Sequence, residues 1–335
     1  MAAIFVYSPY PAGQGITIQV TQLNAKDLYK AICKQDTDLP LFHQYWWLDT
    51  VAPDWNVSIA MKGQSITGVW PYAQQQKLRI DMLRTPMLTP YLGPHVFFPP
   101  DIKESNRDQF EYEVTEQLIS RLPDPDVWHL AMQPGIKQAG IFNDYDLQLH
   151  VRQTFLLDLS HTEEEIFSSL KEPLRRNIRA AEKEIVITDD PRHLNDLYHF
   201  QKITLEYKGA SQHYSFNDLV RLHEACRRNQ CTALWVAKKE EEVQAIIWHL
   251  WDRKSSYYYM GAKNPGTDSY RAMSALLWHA IRAAKSKGNQ WFDFEGSMDP
   301  GVERFFRNFG ARRELYMVLR KNRSLLWKLV EKLRQ

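Results

Sequence analysis

Three apolar and aromatic runs at residues 232–237, 243–250 and 255–260, separated by polar turns at 238–242 and 252–254, predict an antiparallel meander. The period then changes. Met273, Leu276, Leu277, Ala280, Ile281 and Ala284 recur at three- and four-residue spacing, which is one face of an amphipathic helix over 270–287. A short apolar run, 291–294, follows it. A strand, a helix and a strand in that order predict a βαβ unit with parallel strands. Ligands of such sheets gather at the carboxyl ends of the strands. Gly261, Lys263, Asn264 and Ser269 fall at one such end, and Asp293, Glu295 and Ser297 at the other.

Upstream, Leu174, Ile178, Ala181 and Ile185 share one helix face, Thr162 with Glu165 forms a capping box, and Asp190 and Ser215 open two more helices. In the first half, short strands are expected at 4–7 and 16–20, helices at 24–35 and 41–51, and a hairpin at 57–71. Residues 83–100 carry five prolines and predict an irregular wall, followed by a helix at 105–121 and a strand at 127–132. A strand at 147–159 leads into the second half, and a strand at 315–319 and a helix at 322–334 close the chain. The order predicts an α/β fold, with helices on the faces of a mixed sheet in an α+β manner. It divides into a first domain at 1–150, a second at 151–320 and a terminal basic amphipathic helix at 321–335.

The net charge of +2 hides an asymmetry. Residues 1–150 hold 11 Lys/Arg against 16 Asp/Glu, while the remainder holds 31 against 24. The second half is therefore the expected host of an anionic small molecule. Cys33, Cys226 and Cys231 have neither metal spacing nor a disulfide framework, which suits a reducing cytoplasm. No signal peptide or long apolar span is read from the sequence. The 11 histidines show no metal pairing, and no Gly-x-Ser-x-Gly supports a nucleophilic triad. No tightly bound cofactor or metal is expected. The tail places Leu325, Leu326, Leu329, Val330 and Leu333 on one side and is expected to pack on the protein rather than on a membrane.

The run Leu174-Arg175-Arg176-Asn177-Ile178-Arg179-Ala180-Ala181-Glu182-Lys183 resembles the basic helix of the Fem-type peptidyltransferases, relatives within the GNAT superfamily. Gly261-Ala262, the helix ending at Gly288, Phe292-Asp293-Phe294-Glu295-Gly296-Ser297 and the Phe-x-x-x-Phe-Gly close at Phe305 to Gly310 are similar to that family's C-terminal signature. The resemblance covers residues 150–320, and 40–100 in general character. It implies two tandem GNAT-like domains, the first degenerate and on the acceptor side. It also implies transfer of an acyl group from acyl-coenzyme A, or of an aminoacyl group from tRNA, to an amine of a cell-envelope or polysaccharide precursor such as a nucleotide-sugar peptide. Two departures stand out. Phe306 occupies the position where the family has a Lys, and the turn at 262–269 has a single glycine, Gly266, where coenzyme A enzymes have a glycine-rich loop. A binding module of the same fold that has lost turnover is the alternative.

Specific residues follow from this frame. Arg304 and Arg307 flank Phe306 and are the candidate substitutes for the Lys, and Asp293 or Glu295 is the candidate general base. Arg175, Arg176 and Arg179 are candidates for holding the phosphates of an acceptor or of tRNA; the alternative is a solvated face paired with Glu172, Glu182 and Glu184. Glu206, Tyr207, Tyr257, Tyr259 and Phe305 are candidates for lining an acceptor cleft, although core packing explains the tyrosines equally well. Met260 and Gly261 offer main-chain amides to the donor carbonyl where the parallel strands splay. Lys263, Ser269 and Arg271 sit where a helix start favours an anion, unless Ser269 or Asp268 is simply the cap.

Overall fold

The computed structural model describes residues 2–6, 16–20, 24–35, 38–267, 270–296 and 298–332. The chain forms two units, Met1–Arg152 with Leu315–Gln335, and Gln153–Glu314.

The first unit opens with the antiparallel pair β1 (Ala2–Val6) and β2 (Ile16–Val20). Asn24 then accepts the Asp27 amide at 2.9 Å and starts α1 (Ala25–Cys33). After α2 (Tyr45–Val51), β3 (Asn56–Lys62) and β4 (Ser65–Lys77) form the expected hairpin. The stretch expected to be irregular holds part of β5 (Ile80–Arg84) and the two-residue β6 (His95–Val96), which adds to β4. Next come α3 (Glu104–Ile119), β7 (Val127–Ala131), α4 (Ala139–Asn143) and β8 (Gln148–Asp158), within which the unit boundary falls. β1, β4, β5 and β7 are neighbours in that order, with β1 parallel to β4 and β5 parallel to β7. Trp55, Ile66, Trp70, Leu83, Leu118 and Phe142 are among the buried residues of this unit.

The second unit continues with α5 (Glu163–Ser169), α6 (Glu172–Ala181), β9 (Val186–Asp189), α7 (Leu194–Tyr207) and α8 (Phe216–Arg228). The Thr162–Glu165 capping box forms as its spacing predicts, and Ser215, expected to open a helix, makes a second box with Asp218. The meander is β10 (Thr232–Lys239), β11 (Glu242–Trp251) and β12 (Ser255–Lys263), and the βαβ unit is completed by α9 (Tyr270–Ser286) and β13 (Trp291–Asp293). Strand order is β8, β13, β12, β11, β10, β9, and all of these pairs are antiparallel except β12 with β13. α9 buries Leu276, Leu277, Ala280 and Ile281 in a core shared with Ile178, Ile247 and Phe292. α10 (Pro300–Arg307) follows, capped by Asp299.

β14 (Arg312–Asn322) contains the second unit boundary and pairs antiparallel with β7. α11 (Leu325–Lys332) ends the described chain. Its packing differs from the apolar face read from the sequence. Trp327 is buried with Val330 against Ile80, Met82 and Val127, while Leu325, Leu326 and Leu329 face solvent. The indole buries more apolar area than any one leucine, so the helix turns that side inward. None of the described helices is long and apolar enough to cross a membrane.

Candidate functional site

β12 and β13 pair over three positions, the last being Tyr257 with Asp293. β12 runs on to Lys263 while β13 stops, so the strands part at their carboxyl ends. The register of β12 against β11 also shifts there, between Trp248 and His249, a β-bulge that bends the strand. An open slot was expected at this parting. On one side it is filled by aromatic rings. Phe306 lies with its ring centroid 5.8 Å from Tyr258, 4.9 Å from Phe294 and 6.2 Å from Phe155. A Cβ at Gly261 would overlap Tyr258, so only glycine lets that ring lie along the strand.

Two acids meet at the end of β13. Asp293, 2% exposed, accepts the Thr154 hydroxyl and, at 2.8 Å, the Glu295 amide. Glu295 and Gly296 then take φ of 58° and 61°. A Cβ on Gly296 would overlap the Gln153 carbonyl, which explains the glycine. Glu295 bears the left-handed conformation at a cost of about 1–2 kcal/mol. Part of the Glu295 residue meets solvent, yet its Oε1 is buried and has no hydrogen-bond partner among the described residues. Burial first, and then the charge of Asp293, hold its carboxyl well above the usual carboxylate range. Tyr257 and Tyr259 are buried nearby. Burial raises both phenols; Asp252, accepting the Tyr257 hydroxyl at 2.6 Å, raises Tyr257 further, and Glu295 adds to the rise at Tyr259. A strained, desolvated carboxyl beside two phenols is suited to moving a proton.

Two residues that the sequence did not single out complete this side. The Tyr214 hydroxyl donates to Gln201 Oε1 at 2.6 Å and lies 3.8 Å from the Met260 sulfur, and Gln201 Nε2 reaches toward the Gly261 carbonyl at 3.5 Å. No local pattern joins Gln201 on α7 to Tyr214 before α8, because the loop between them brings them together. The structure thus gathers Asp293, Glu295, Tyr257, Tyr259, Met260 and Gly261 of the expected set.

The other candidates are elsewhere. Arg175 is bound to Glu172 and donates to the Ser168 and Leu170 carbonyls. Arg179 lies over the Phe167 ring at 5.3 Å, and Arg176 is exposed. Arg304 is exposed, and exposed Arg307 lies 3.6 Å from Glu303. Phe305 is half-buried and packs on Tyr270. Glu206 is exposed, and Tyr207 is 93% exposed. Lys263 and Arg271 are exposed, and Ser269 and Ser297 fall outside the described residues. Arg271 borders a cavity of about 730 Å³ that is also lined by Glu184, Glu240, Glu241, Glu242 and Lys239. The Gly266 amide there already donates to the Asn264 side chain at 3.0 Å. That lining is acidic, the opposite of what an anion at the start of α9 requires.

The fold defines the class: it is the tandem GNAT/Fem-like arrangement, and residues 168–307 match the family model of the acetyltransferase (GNAT) domain. Among solved structures the chain is similar to FemX, with 11% identity, 95% of this chain and 99% of the other covered, and a TM-score of 0.63. It is also similar to the C-terminal domain of a putative lysylphosphatidylglycerol synthetase from Agrobacterium fabrum (12% identity, 83% and 87% covered, TM-score 0.52). A tandem GNAT protein from the clavulanic acid biosynthesis pathway is a third (7% identity, 89% and 94% covered, TM-score 0.51). No curated protein matches the sequence significantly.

Proposed function

We propose that the chain is an N-acyltransferase of the cytoplasm that moves an acyl group from acyl-coenzyme A to an amine of a cell-envelope or polysaccharide precursor, with Glu295 as general base. The observation that carries this reading is the buried, unpartnered Oε1 of Glu295 where β12 and β13 part, inside the segment that matches the acetyltransferase model. In the step, the amine nitrogen attacks the thioester carbonyl, the C–S bond breaks, and the amine proton passes to the Glu295 carboxylate and then to the leaving thiolate. A carboxyl held above the usual range by burial is, once ionised, a stronger base than an ordinary one. Main-chain amides near Met260 and Gly261 are the candidates for steadying the oxyanion, and positioning by the surrounding tyrosines supplies the rest. Asp293 acts as a positioning residue through the Glu295 amide.

The test incubates the full chain with acetyl-coenzyme A, and separately with charged tRNA, against amino sugars and a nucleotide-linked muramyl peptide. Products are read by mass spectrometry. Acyl transfer from coenzyme A that collapses in Glu295→Gln is the expected result. No transfer from either donor, or transfer that Glu295→Gln leaves intact, overturns the reading. Transfer from tRNA alone would keep the base and replace the donor.

A second reading, a binding module without turnover, is favoured by the rings of Tyr258, Phe294 and Phe306 in the parting and by the acidic lining near Arg271. It predicts ligand capture without product, weakened by Arg176→Ala with Arg179→Ala.

A further inference from the structure

Two of the three cysteines are brought side by side by the way α8 ends. Cys226 lies in the last turn of that helix, and Cys231 stands one residue before β10. Between them Gln230 takes a φ of 53°, in the left-handed region, and the Cys231 amide donates to the Cys226 carbonyl at 3.2 Å. A six-to-one bond that follows a left-handed residue is the Schellman close of a helix, and it sets the side chain of the sixth residue against that of the first. The contact is commonly made by two apolar side chains; here both are thiols. The Cys231 Sγ donates to the Cys226 carbonyl at 3.4 Å, and the two thiols bear directly on each other. The main-chain bond also holds the two backbones within reach of a disulfide, whose Cα atoms stand about 4.4–6.8 Å apart. Cys33 is on α1 in the first unit.

The pair borders the candidate site. Burial raises the Tyr259 phenol, Glu295 adds to the rise, and Cys226 adds to it again. Tyr259 meets Trp248 edge-on with ring centroids 5.0 Å apart, and Trp248 meets His223, one turn before Cys226, at 5.3 Å. In so closely packed a set of rings, a change in the Cys226 side chain is felt at Tyr259 and so beside Glu295.

We propose that Cys226 and Cys231 are a peroxide-sensitive dithiol that closes to a disulfide and slows the reaction at the neighbouring site. Cys231 is 7% exposed and Cys226 is fully buried, so Cys231 meets the oxidant first. Its sulfur takes the terminal oxygen of a hydroperoxide, the O–O bond breaks, and the alcohol or water leaves with the thiol's proton, giving a sulfenic acid. The Cys226 sulfur then attacks the Cys231 sulfur, the S–O bond breaks, and water leaves with the second proton. Two thiols are oxidised, one hydroperoxide is reduced, and thiol exchange reverses the bond. Burial holds the Cys226 thiol well above its ordinary range, which suits it to act second. In a reducing compartment such a bond is transient and sensing rather than structural. The disulfide stands independently of the acyl-transfer reading; its effect on the rate rests on that reading.

The experiment treats the reduced full chain with hydrogen peroxide, blocks the remaining thiols by alkylation and reads the mass. Trypsin cuts after Arg221, Arg227, Arg228 and Lys238, so peptides 222–227 and 229–238 stay together only through the new bond. The expected result is that linked pair, with a mass lower by two hydrogens, reversed by dithiothreitol. Cys33→Ala should form the pair as the wild type does, and Cys231→Ala should not. Absence of the pair in the wild type, or a pair that includes Cys33, overturns the proposal. The second readout is the rate of acyl transfer. Oxidised wild type should lose at least about threefold and recover with dithiothreitol, while Cys231→Ala is indifferent to peroxide. A smaller loss in the linked wild type, or an equal loss in Cys231→Ala, overturns the control of the site. A reduced chain that transfers nothing defeats the acyl-transfer reading instead, and the linked pair then decides the disulfide by mass alone.

Discussion

The arginines of α6 and the basic row of β5, β7 and β14 carry the same kind of charge and could hardly be used more differently. On α6, Arg175 is tied to Glu172 one turn away and to two carbonyls of the preceding loop, and Arg179 rests on Phe167. Each finds its partners within a dozen positions of sequence. In the first unit, Arg320 faces His129 from 191 positions away, and sheet register sets Arg84 opposite the same imidazole. Glu295 is a third case: the charge acting on its buried carboxyl is Asp293, another acid only two positions away, so proximity here does not neutralise. Charges close in sequence are readily neutralised by the side chains three and four positions away. Groups assembled by topology draw their partners from distant strands instead, and a buried carboxyl oxygen left without a partner, as at Glu295, is suited to a reaction.

The largest effect is expected at Glu295. Removing a general base costs about 10²–10⁴ in rate, so Glu295→Gln should lower kcat by that factor while acceptor affinity, measured by calorimetry, changes little. The same variant should be more stable than the wild type at pH 8. The folded-state carboxyl sits above its unfolded value, so the native state holds a proton that the unfolded chain has released, and stability falls as pH rises through that interval. Gln cannot ionise, so melting curves of wild type and variant should converge near pH 4 and separate above it. A variant that is slower and no more stable at pH 8 would show that Glu295 is not burying an ionisable cost.

Phe306 comes next. It is 2% exposed and joins Phe155, Tyr258 and Phe294, so Phe306→Ala should cost about 3–5 kcal/mol in denaturant unfolding. A cost under about 1 kcal/mol would mean that the rings do not plug the parting of the strands. This residue also marks the limit of what the sequence makes legible. The βαβ unit, the meander, the Thr162–Glu165 capping box and the acids at the end of β13 are written in short-range periods and turns, and the structure shows each of them. Phe306 reads from sequence only as a departure from a motif; that its ring fills the slot depends on Tyr258 in β12 and Phe294 just after β13. The row of Arg84, His129 and Arg320 is less legible still, since its members sit in three separate runs and only strand register aligns them. The leucines of α11 failed for a related reason: helix period shows that a face is apolar, but the competing indole decides which face docks.

Acid should act through the buried histidines more weakly. Burial lowers His249 to about 3 and His223 to about 4, both in the second unit, and His43 to about 4 in the first. Each is neutral in the fold and protonates in the unfolded chain near 6.5, so stability is present above that value and is lost as pH falls toward 4. A fully buried histidine contributes up to about 1.4 kcal/mol per pH unit across that interval. His249 accepts the Trp235 indole hydrogen at 3.1 Å and has Nε2 buried with no partner among the described residues. His249→Gln should flatten the pH 4–6 slope of second-unit unfolding by about one histidine's share, read by denaturation at each pH. An unchanged slope would place the proton uptake elsewhere.

The smallest effect is expected on α6, and it bears most directly on the contrast between satisfied and unsatisfied charge. Arg176 and Arg179 are exposed, and Arg179 gains only a partly solvated ring contact. Exposed charges of this kind contribute about 0–1 kcal/mol. Arg176→Ala with Arg179→Ala should therefore shift denaturant unfolding by less than about 1 kcal/mol and leave the acyl-transfer rate within twofold of wild type. If the α6 pair instead abolished transfer while stability held, the helix would be the substrate's anion site after all. Sequence proximity would then be the better guide to where this chain holds charge in reserve.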